Sequence, residues 1–535
     1  MSELVPVRRA LLSVSDKKDL VAFARALVEH GIEIVSTGGT ANALASQGIP
    51  VIPIEQLTGF PEMMDGRLKT LHPRVHGGLL GKRDSPSHLA AMAEHGIAPI
   101  DLVCVNLYPF EATIRRDGVT DAEAIENIDI GGPSMIRSAS KNYSHVCVVT
   151  NPDQYDRVCA DLRNHNGSTT GALRRELAAA AFSRTAAYDS AISAWFDSKA
   201  NRDFPNVMTV NLVKSDELRY GENPHQRAAA YILPGSREPA VVGAPLLHGK
   251  ALSYNNLLDA SAALELVQDL TDLDANQFAC AIIKHTNPCG AAIARSASDT
   301  FLRAYAGDPI AAYGSIVAFN GTIDEATALL MVEGDRFLEV VIAEKFEPAA
   351  FDALSQRWKN VRLIALGAIR HRVDRPLALR SIPGGVLVQE RDTLPVRAES
   401  FEHVAGPAPT STVLADAAFA FTIAKHLKSN AVCIAGGGTL WGAGTGQMDR
   451  VASCAIAIEK SKAKFASAHS SASGVIPVVG SDAFFPFADG PELLIRAGVK
   501  CIVHPGGSKR DSDTTELCSK HGVTCLIAGS RHFRH

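Results

Sequence analysis

The chain has 535 residues, a formal net charge of -4 at pH 7, 46% hydrophobic and 21% charged residues. The length exceeds one ordinary core and predicts several domains; the balance excludes a disordered chain and gives no electrostatic case for nucleic acid. Ten cysteines without a C-x-x-C pair, several inside apolar runs (Cys104, Cys147, Cys433, Cys501), suit a reducing, cytoplasmic setting, and neither a secretory segment nor an apolar run of membrane-spanning length is visible.

Ala10 to Val14 reads as the first strand. Asp16 reads as the cap of a helix whose apolar positions Leu20, Phe23, Ala24, Leu27 and Val28 follow helical spacing; Gly31 ends it and Ile32 to Val35 forms the next strand. Further strands are predicted at Leu102 to Val105 and Val146 to Val149, and Ala-rich text from about Leu173 to Trp195 reads as helix. This alternation predicts a parallel sheet covered on both faces. Asp197 to Val207 breaks the periodicity and reads as a linker between domains 1–200 and 201–535. Beyond it, apolar runs recur at 279–283, 315–319, 338–342, 361–365, 432–435, 501–503 and 525–527, with helical text at Ala260 to Leu270 and Ala415 to Lys428. This half is long enough for two α/β subdomains. Lys284-x-x-Asn287 and Lys428-Ser429-Asn430 both lie near element ends, which alone does not establish a duplication.

Several clusters carry chemistry. Ser36-Thr37-Gly38-Gly39-Thr40 follows a strand and opens a helix; it serves equally as a flexible turn or as an anion cradle of amides and hydroxyls. Ser13-Val14-Ser15-Asp16-Lys17 ends the first strand and faces it if the two strands are neighbours, which together suggests a monophosphate site. Gly66 to Gly78 places Arg67, Lys69, His72, Arg74 and His76 between turn residues and reads as a loop folded around an anionic ligand. Asn106 to Phe110 and Asp129 to Ser134, followed by Arg137 and Lys141, are rich in small and polar groups. In the second half, Lys284-His285 follows the run Phe278–Ile283. Pro288 and Gly290 predict a turn there, presenting both side chains to one ligand at the sheet edge beyond the carboxyl ends of the strands. Gly81-Lys82 lacks the P-loop glycine and hydroxyl, having His76 and Arg83 instead. Gly436 to Gly446 lacks G-x-G-x-x-G spacing. Pro288-Cys289 lacks the second cysteine and the H-x-E of a zinc deaminase, so metal hydrolysis is disfavoured.

Taken together, SVSDK, STGGT, TGFPEMMDGRLKTLHPRVHGG, NLYPF, ENIDIGGPSMIRSASKN, LRYGENPHQ, LSYNN, KHTNPCG, KSNA, GQMDRV, SDAFFPF, PGGSKRD and RHFRH run nearly end to end in one order. This chain resembles the bifunctional purine biosynthesis family, in which 5-aminoimidazole-4-carboxamide ribonucleotide (AICAR) formyltransferase is joined to inosine monophosphate (IMP) cyclohydrolase. The resemblance implies an α/β fold: a methylglyoxal-synthase-like cyclohydrolase domain with a parallel sheet at 1–200, then a transformylase domain at 201–535 of two cytidine-deaminase-like subdomains without zinc. It implies formyl transfer from 10-formyltetrahydrofolate to AICAR, then dehydrative closure of formyl-AICAR to IMP, in a homodimer whose transformylase sites use both subunits, with no metal, nucleic acid or membrane.

Carried over by position, the cyclohydrolase residues are Ser13, Ser15, Lys17, Thr37, Gly38, Thr40, Arg67, Lys69, Thr70, Asn106, Tyr108, Asp129 and Lys141. Lys69, Tyr108 and Lys141 are the candidates for proton transfer and oxyanion support, and Asp129 orients the amide; which of them is the acid stays open. The transformylase residues are Arg219, Tyr220, Asn256, Lys284, His285, Gly314, Glu339, Asn430, Arg450, Phe484, Asp489, Arg531 and His535. His285 is the expected general base, Lys284 the oxyanion or leaving-group partner, and Asn430 a second donor. Arg219 and Arg531 are expected at phosphate or polar groups, and Phe484 at the pterin. A role for RHFRH requires that segment to be tied down. The chain departs from the family at Ala311, Ser315, Glu344 and Ala488. Ala311, Ser315 and Ala488 motivate one alternative, an active cyclohydrolase with a weakened transformylase; the resemblance of the N-terminal fold to regulator-binding domains motivates another, an N-terminal half that only senses nucleotides.

Overall fold

Apolar runs become buried strands, and their order positions the sites. The computed structural model describes residues 4–64, 67–370, 377–470 and 474–535. The chain divides into two units, Met1–Asn211 and Leu212–His535.

In the first unit a five-stranded, wholly parallel sheet has the order Ile52–Pro53, Glu33–Ser36, Arg9–Val14, Leu102–Asn106, Cys147–Val149. Ala10, Leu11, Leu12 and Val103 are fully buried, as a strand covered on both faces requires. The helix Leu20–Glu29 buries Leu20, Phe23, Ala24 and Leu27, one face at helical spacing. Its cap is not Asp16. The Asp16 carboxylate instead accepts from the Lys18 amide at 2.9 Å in a tight turn, and the helix starts after Asp19, which makes no side-chain cap. Gly31, at φ 71°, takes the left-handed position just past the helix end. The Ala-rich helix spans Gly171–Lys199 and runs past Asp197. Its last turn is held by Lys199, which pairs with Asp121 at 2.6 Å and lies over Trp195.

The second unit contains two six-stranded sheets of one plan. The first has the order Leu246–His248, Arg362–Ala365, Leu338–Ala343, Ser315–Phe319, Phe278–Lys284, Asn287–Ala294; the second has Glu402–Ala405, Thr524–Ile527, Cys501–His504, Val478–Ser481, Val432–Ala435, Leu440–Gly444. In each, three parallel strands are flanked by an antiparallel strand on one side and an antiparallel hairpin on the other. The helices Tyr254–Leu273 and Ser411–His426 precede the two hairpins at equivalent places, and both contribute to one apolar core shared by the sheets. The sheets meet hairpin to hairpin: Ala292 bridges Thr439 antiparallel, and the Ile293 amide donates to Gly438 at 2.9 Å. The duplication is therefore real, but Lys284–Asn287 and Lys428–Asn430 are not its matching parts.

Candidate active sites

In the first unit the chain order reverses between Arg9–Val14 and Leu102–Asn106, which pair with Val14 opposite Asn106. In an open parallel sheet the crevice at the carboxyl ends of two such strands is where ligands bind. Asn106 closes its floor: Oδ1 accepts from the Asp16 amide at 3.0 Å and from the Ser15 amide, and Nδ2 donates to Asp16 O at 2.8 Å. Ser13 Oγ and Thr37 Oγ1 stand 2.7 Å apart, so the two hydroxyl segments do face each other. Thr40 locks the second helix onto the first strand, its hydroxyl accepting from the Val14 amide and donating to the Val14 carbonyl, both at 3.0 Å. Thr37 makes no side-chain cap on the helix Gly38–Ala45, and an uncapped helix start of this kind suits an anion.

Lys69 overhangs this helix start. Its Nζ is 3.6 Å from where a Cβ on Gly38 would stand and 3.6 Å from Glu62 Oε1. Next to it, Thr70 Oγ1 lies so close to Gly131 that a Cβ there would sit 2.5 Å away. Asp129 accepts from the Gly132 amide at 2.8 Å. Burial pushes its carboxyl up, against the opposing pull of the Gly132 and Tyr108 amides and the Lys69 charge. Ser13, Ser15, Thr37, Gly38, Thr40, Lys69, Thr70, Asn106, Tyr108 and Asp129 thus converge. Lys17 is exposed in the loop beyond the first strand, and Arg67 is exposed and ion-paired with Glu126. Lys141 is the last residue of the helix Gly131–Lys141 and is exposed.

The basic stretch is only partly a ligand loop. Pro73–Leu80 is a helix, capped by His72 Nδ1, which accepts from the Arg74 amide at 3.1 Å. Arg74 donates to the Thr58 carbonyl at 3.2 Å, and His76 Nδ1 is 2.9 Å from Ser138 Oγ. Three of the five basic side chains serve the fold.

In the second unit, Lys284 and Asn287 pair directly and the turn falls on His285 and Thr286, both at positive φ (53° and 62°). Pro288 and Gly290 lie inside the strand Asn287–Ala294 and make no turn. A left-handed backbone at each non-glycine residue costs about 1–3 kcal/mol, and for β-branched Thr286 it is an outlier. Lys284 Nζ donates to the carbonyls of Tyr313 (3.2 Å) and Gly314 (3.0 Å), which leaves one of its three N–H groups for a ligand. The edge also differs from expectation. The Lys284 strand runs antiparallel to Ser315–Phe319, so Lys284 lies at the amino ends of the three parallel strands. Glu339 sits on that same edge, its Oε2 accepting from Asn256 Nδ2 at 3.1 Å and Arg362 Nη1 at 3.3 Å.

The second sheet contributes its opposite pole. Asn430 Oδ1 accepts from Arg450 Nη2 at 2.8 Å, and its Nδ2 donates to Gln447 O at 2.9 Å. Arg450 is ion-paired with the fully buried Asp482, which also accepts from Ser429 Oγ at 2.5 Å. Exposed Phe484 follows two residues later, and Asp489 opens the helix Asp489–Arg496. Asn287 joins the two poles, its Oδ1 accepting from the Lys428 amide and the Thr445 hydroxyl.

The segment Arg531–His535 is tied down. His532 is 2.5 Å from Asp392, Arg534 is paired with Glu265 at 2.9 Å, and the Arg534 and His535 carbonyls accept from the Ser429 amide (2.9 Å) and Lys428 Nζ (2.8 Å). Arg531 lies over Phe533 and lines, with His535, a cavity of about 940 Å³. Arg219 is exposed with its guanidinium over Tyr220, and the loop after them meets the Asn256 helix through Glu222 O, which accepts from Asn255 at 3.4 Å. Sequence reasoning passed over Asp259 and Asp482 and read Asn287 only as part of a possible repeat. Asp259 carried a signal, lying three residues after Asn256 on the same helical face. Among the described residues no group of three His, Cys, Asp or Glu could hold a metal ion, and no helix is long and apolar enough to cross a membrane.

Residues 19–134 match the family model of the MGS-like domain, and residues 139–460 match that of the AICARFT/IMPCHase bienzyme. The chain belongs to this bienzyme family. Among its relatives, the bifunctional purine biosynthesis protein PurH of Roseobacter denitrificans (strain ATCC 33942 / OCh 114) is 48% identical over 537 residues, covering 100% of both chains. The protein of the same description from Brucella canis (strain ATCC 23365 / NCTC 10854 / RM-666) is 47% identical over 538 residues, 100% of this chain and 98% of its own. A crystal structure of ForH is 37% identical, covering 36% of this chain and 99% of its own at a TM-score of 0.32.

Proposed function

We propose that the two sites divide the two reactions of a purine-biosynthesis bienzyme, AICAR formyltransferase and IMP cyclohydrolase. On this reading residues 1–200 hold the cyclohydrolase and 201–535 the transformylase. The observation that carries the assignment is the Lys284–His285 hairpin tip, a lysine fixed by two carbonyls beside an imidazole on a strained turn.

Formyl transfer needs the weakly nucleophilic AICAR amine to attack the formyl carbon of 10-formyltetrahydrofolate, the cosubstrate. A C–N bond forms to the amine as the bond to the folate nitrogen breaks. His285 takes the amine proton, and the remaining N–H of Lys284 steadies the developing oxyanion or supplies the proton to the leaving nitrogen. Asn430 is held by Arg450 as a second polar contact. Arg219 and Arg531 carry the guanidinium forks suited to phosphate, and Phe484 offers an exposed ring to a planar pterin.

Ring closure joins an amide nitrogen and a formyl carbon already in one molecule, so the site works by holding one rotamer. The Ser13–Thr37 hydroxyls and the helix start at Gly38 suit the ribose phosphate. Asp129 orients the carboxamide, and Lys69 and Tyr108 are the candidates to serve the formyl oxygen as it leaves as water. Lys141, on the helix that follows Asp129, completes the candidates for proton transfer.

The two sheets of one plan support a reading as two cytidine-deaminase-like subdomains lacking the deaminase zinc. Exposed Leu379, Ile382, Val386 and Leu387 on the hairpin 377–390 suit a homodimer, and ten free cysteines suit the cytoplasm. Two of the family departures fall on one local segment. Asp308 still caps the helix Pro309–Ala312 by accepting from the Ala311 amide at 3.1 Å, while Ser315 adds a buried hydroxyl without a partner.

The test is His285→Ala and Lys69→Ala in the full chain, each assayed with AICAR plus 10-formyltetrahydrofolate and with formyl-AICAR. His285→Ala is expected to abolish transfer, leaving AICAR binding and ring closure near the parent. Lys69→Ala is expected to do the reverse. Loss of both activities in either variant would overturn the division.

A further inference from the structure

The two hairpins of the second unit are gripped alike. Asp259, in the helix Tyr254–Leu273, accepts from the His285 amide (Oδ2, 3.2 Å) and the Thr286 amide (Oδ1, 2.6 Å). Asp416, at the same place in the helix Ser411–His426, accepts from the Gly437 amide (Oδ2, 2.9 Å) and the Gly438 amide (Oδ1, 2.7 Å). All four turn residues stand at positive φ, 53° and 62° in one turn and 60° and 64° in the other.

The molecule thus contains its own comparison. One carboxylate closes on two glycines, which enter this region without a Cβ penalty. The other closes on His285 and Thr286, for which the same backbone is unfavourable. At the glycine turn the carboxylate adds to a conformation the chain already accepts. At the His285 turn it over-determines a conformation the chain would otherwise leave, and strain of that kind persists at functional sites when the surroundings enforce it. Because a side chain leaves the backbone along a direction set by its own φ, relaxation of this turn swings the imidazole away.

We propose that Asp259 is a positioning residue for formyl transfer: its two carboxylate oxygens hold the His285–Thr286 turn left-handed and so aim the His285 imidazole at the acceptor amine. Asp259 itself touches no reacting atom. The inference rests on the reading of His285 as the base.

The test uses the full chain with steady-state transfer, ring closure and thermal unfolding measured on each variant. Asp259→Ala is expected to lower kcat for transfer about 100-fold, the scale of a misplacement of about 1 Å, with KM for AICAR changed less than about threefold. Ring closure is expected within about twofold of the parent. Asp259→Asn, whose single acceptor oxygen serves one amide, falls between. Thr286→Gly in the Asp259→Ala background is expected to recover part of kcat, because glycine keeps the turn without the carboxylate. Asp416→Ala, at the glycine turn, is expected to lower transfer less. Full transfer in Asp259→Ala, equal loss of both activities, no recovery by Thr286→Gly, or an equal loss in Asp416→Ala would each overturn the proposal. His285→Ala separates the two readings. If it retains transfer, the base assignment fails; if it is inactive while Asp259→Ala is fully active, only the positioning role fails.

Discussion

Asn287 Oδ1 accepts a hydrogen bond from the Lys428 amide at 3.1 Å, joining the hairpin of the first six-stranded sheet to the loop of the second that carries Asn430. Lys284 and His285 lie on one side of that bond and Ser429 and Asn430 on the other. Asn287→Ala removes the acceptor from a partly buried amide, a loss of about 1–3 kcal/mol. Formyl transfer is expected to fall while ring closure holds, with denaturant unfolding measured alongside. Unchanged transfer in a destabilised variant would show that the bond serves folding alone.

The Arg450–Asp482 pair tests how far the Asn430 pole depends on burial. Asp482 is fully buried and also accepts from Ser429, while Arg450 reaches both Asp482 and Asn430. Arg450→Ala strands a buried carboxylate and is expected to cost about 3–5 kcal/mol. Arg450→Lys keeps the charge but not the fork, so stability is expected to fall less while transfer still drops. Urea unfolding together with kcat separates the two effects.

Asp129 gives a pH prediction. Burial raises its carboxyl above the ordinary carboxylate range. A folded pKa above the unfolded one contributes stability that is fully present below the unfolded value and lost as pH rises through the raised folded value. Asp129→Asn removes that loss, so the variant is expected to gain stability relative to the parent as pH rises across this window. Its ring closure is expected to lose the acid limb governed by this carboxylate. Unfolding curves at stepped pH and a pH–rate profile check the two halves.

The cysteines are expected to be inert in the native protein. All ten are free and nine are buried; Cys289 is the partly exposed one, with its thiol pushed up to about 12 by burial and the nearby Asp308. A thiol reagent at neutral pH is expected to label the native chain slowly, at Cys289 first, and all ten groups promptly in denaturant. Rapid native labelling at any other position would contradict the described burial.

Much of the architecture was legible because burial on both faces of a strand leaves an unbroken apolar run. Cys280–Ile283, Ile316–Phe319 and Ile502–Val503 are such runs, and all became strands. The meeting of the two hydroxyl segments was legible as well, since Ser13 and Thr37 lie at the ends of strands that pair as neighbours. The turn beside His285 was not. Pro288 and Gly290 are the stronger turn signals, yet Pro288 is tolerated on an edge strand, and the Lys284–Asn287 register moved the turn to two residues that local preference disfavours.

Local sequence determined the elements, the residue types available to bind phosphate and move protons, and the family to which the chain belongs. Tertiary structure alone decided which basic residues were spent on the fold, as His72, Arg74 and His76 were. It alone revealed the repeat, because equivalent turns carry His-Thr in one copy and Gly-Gly in the other. The reason is physical: propensity and periodicity act over a few residues, whereas register, hydrogen-bond partners and the pole of a sheet at which a side chain emerges are set by segments far apart in the chain.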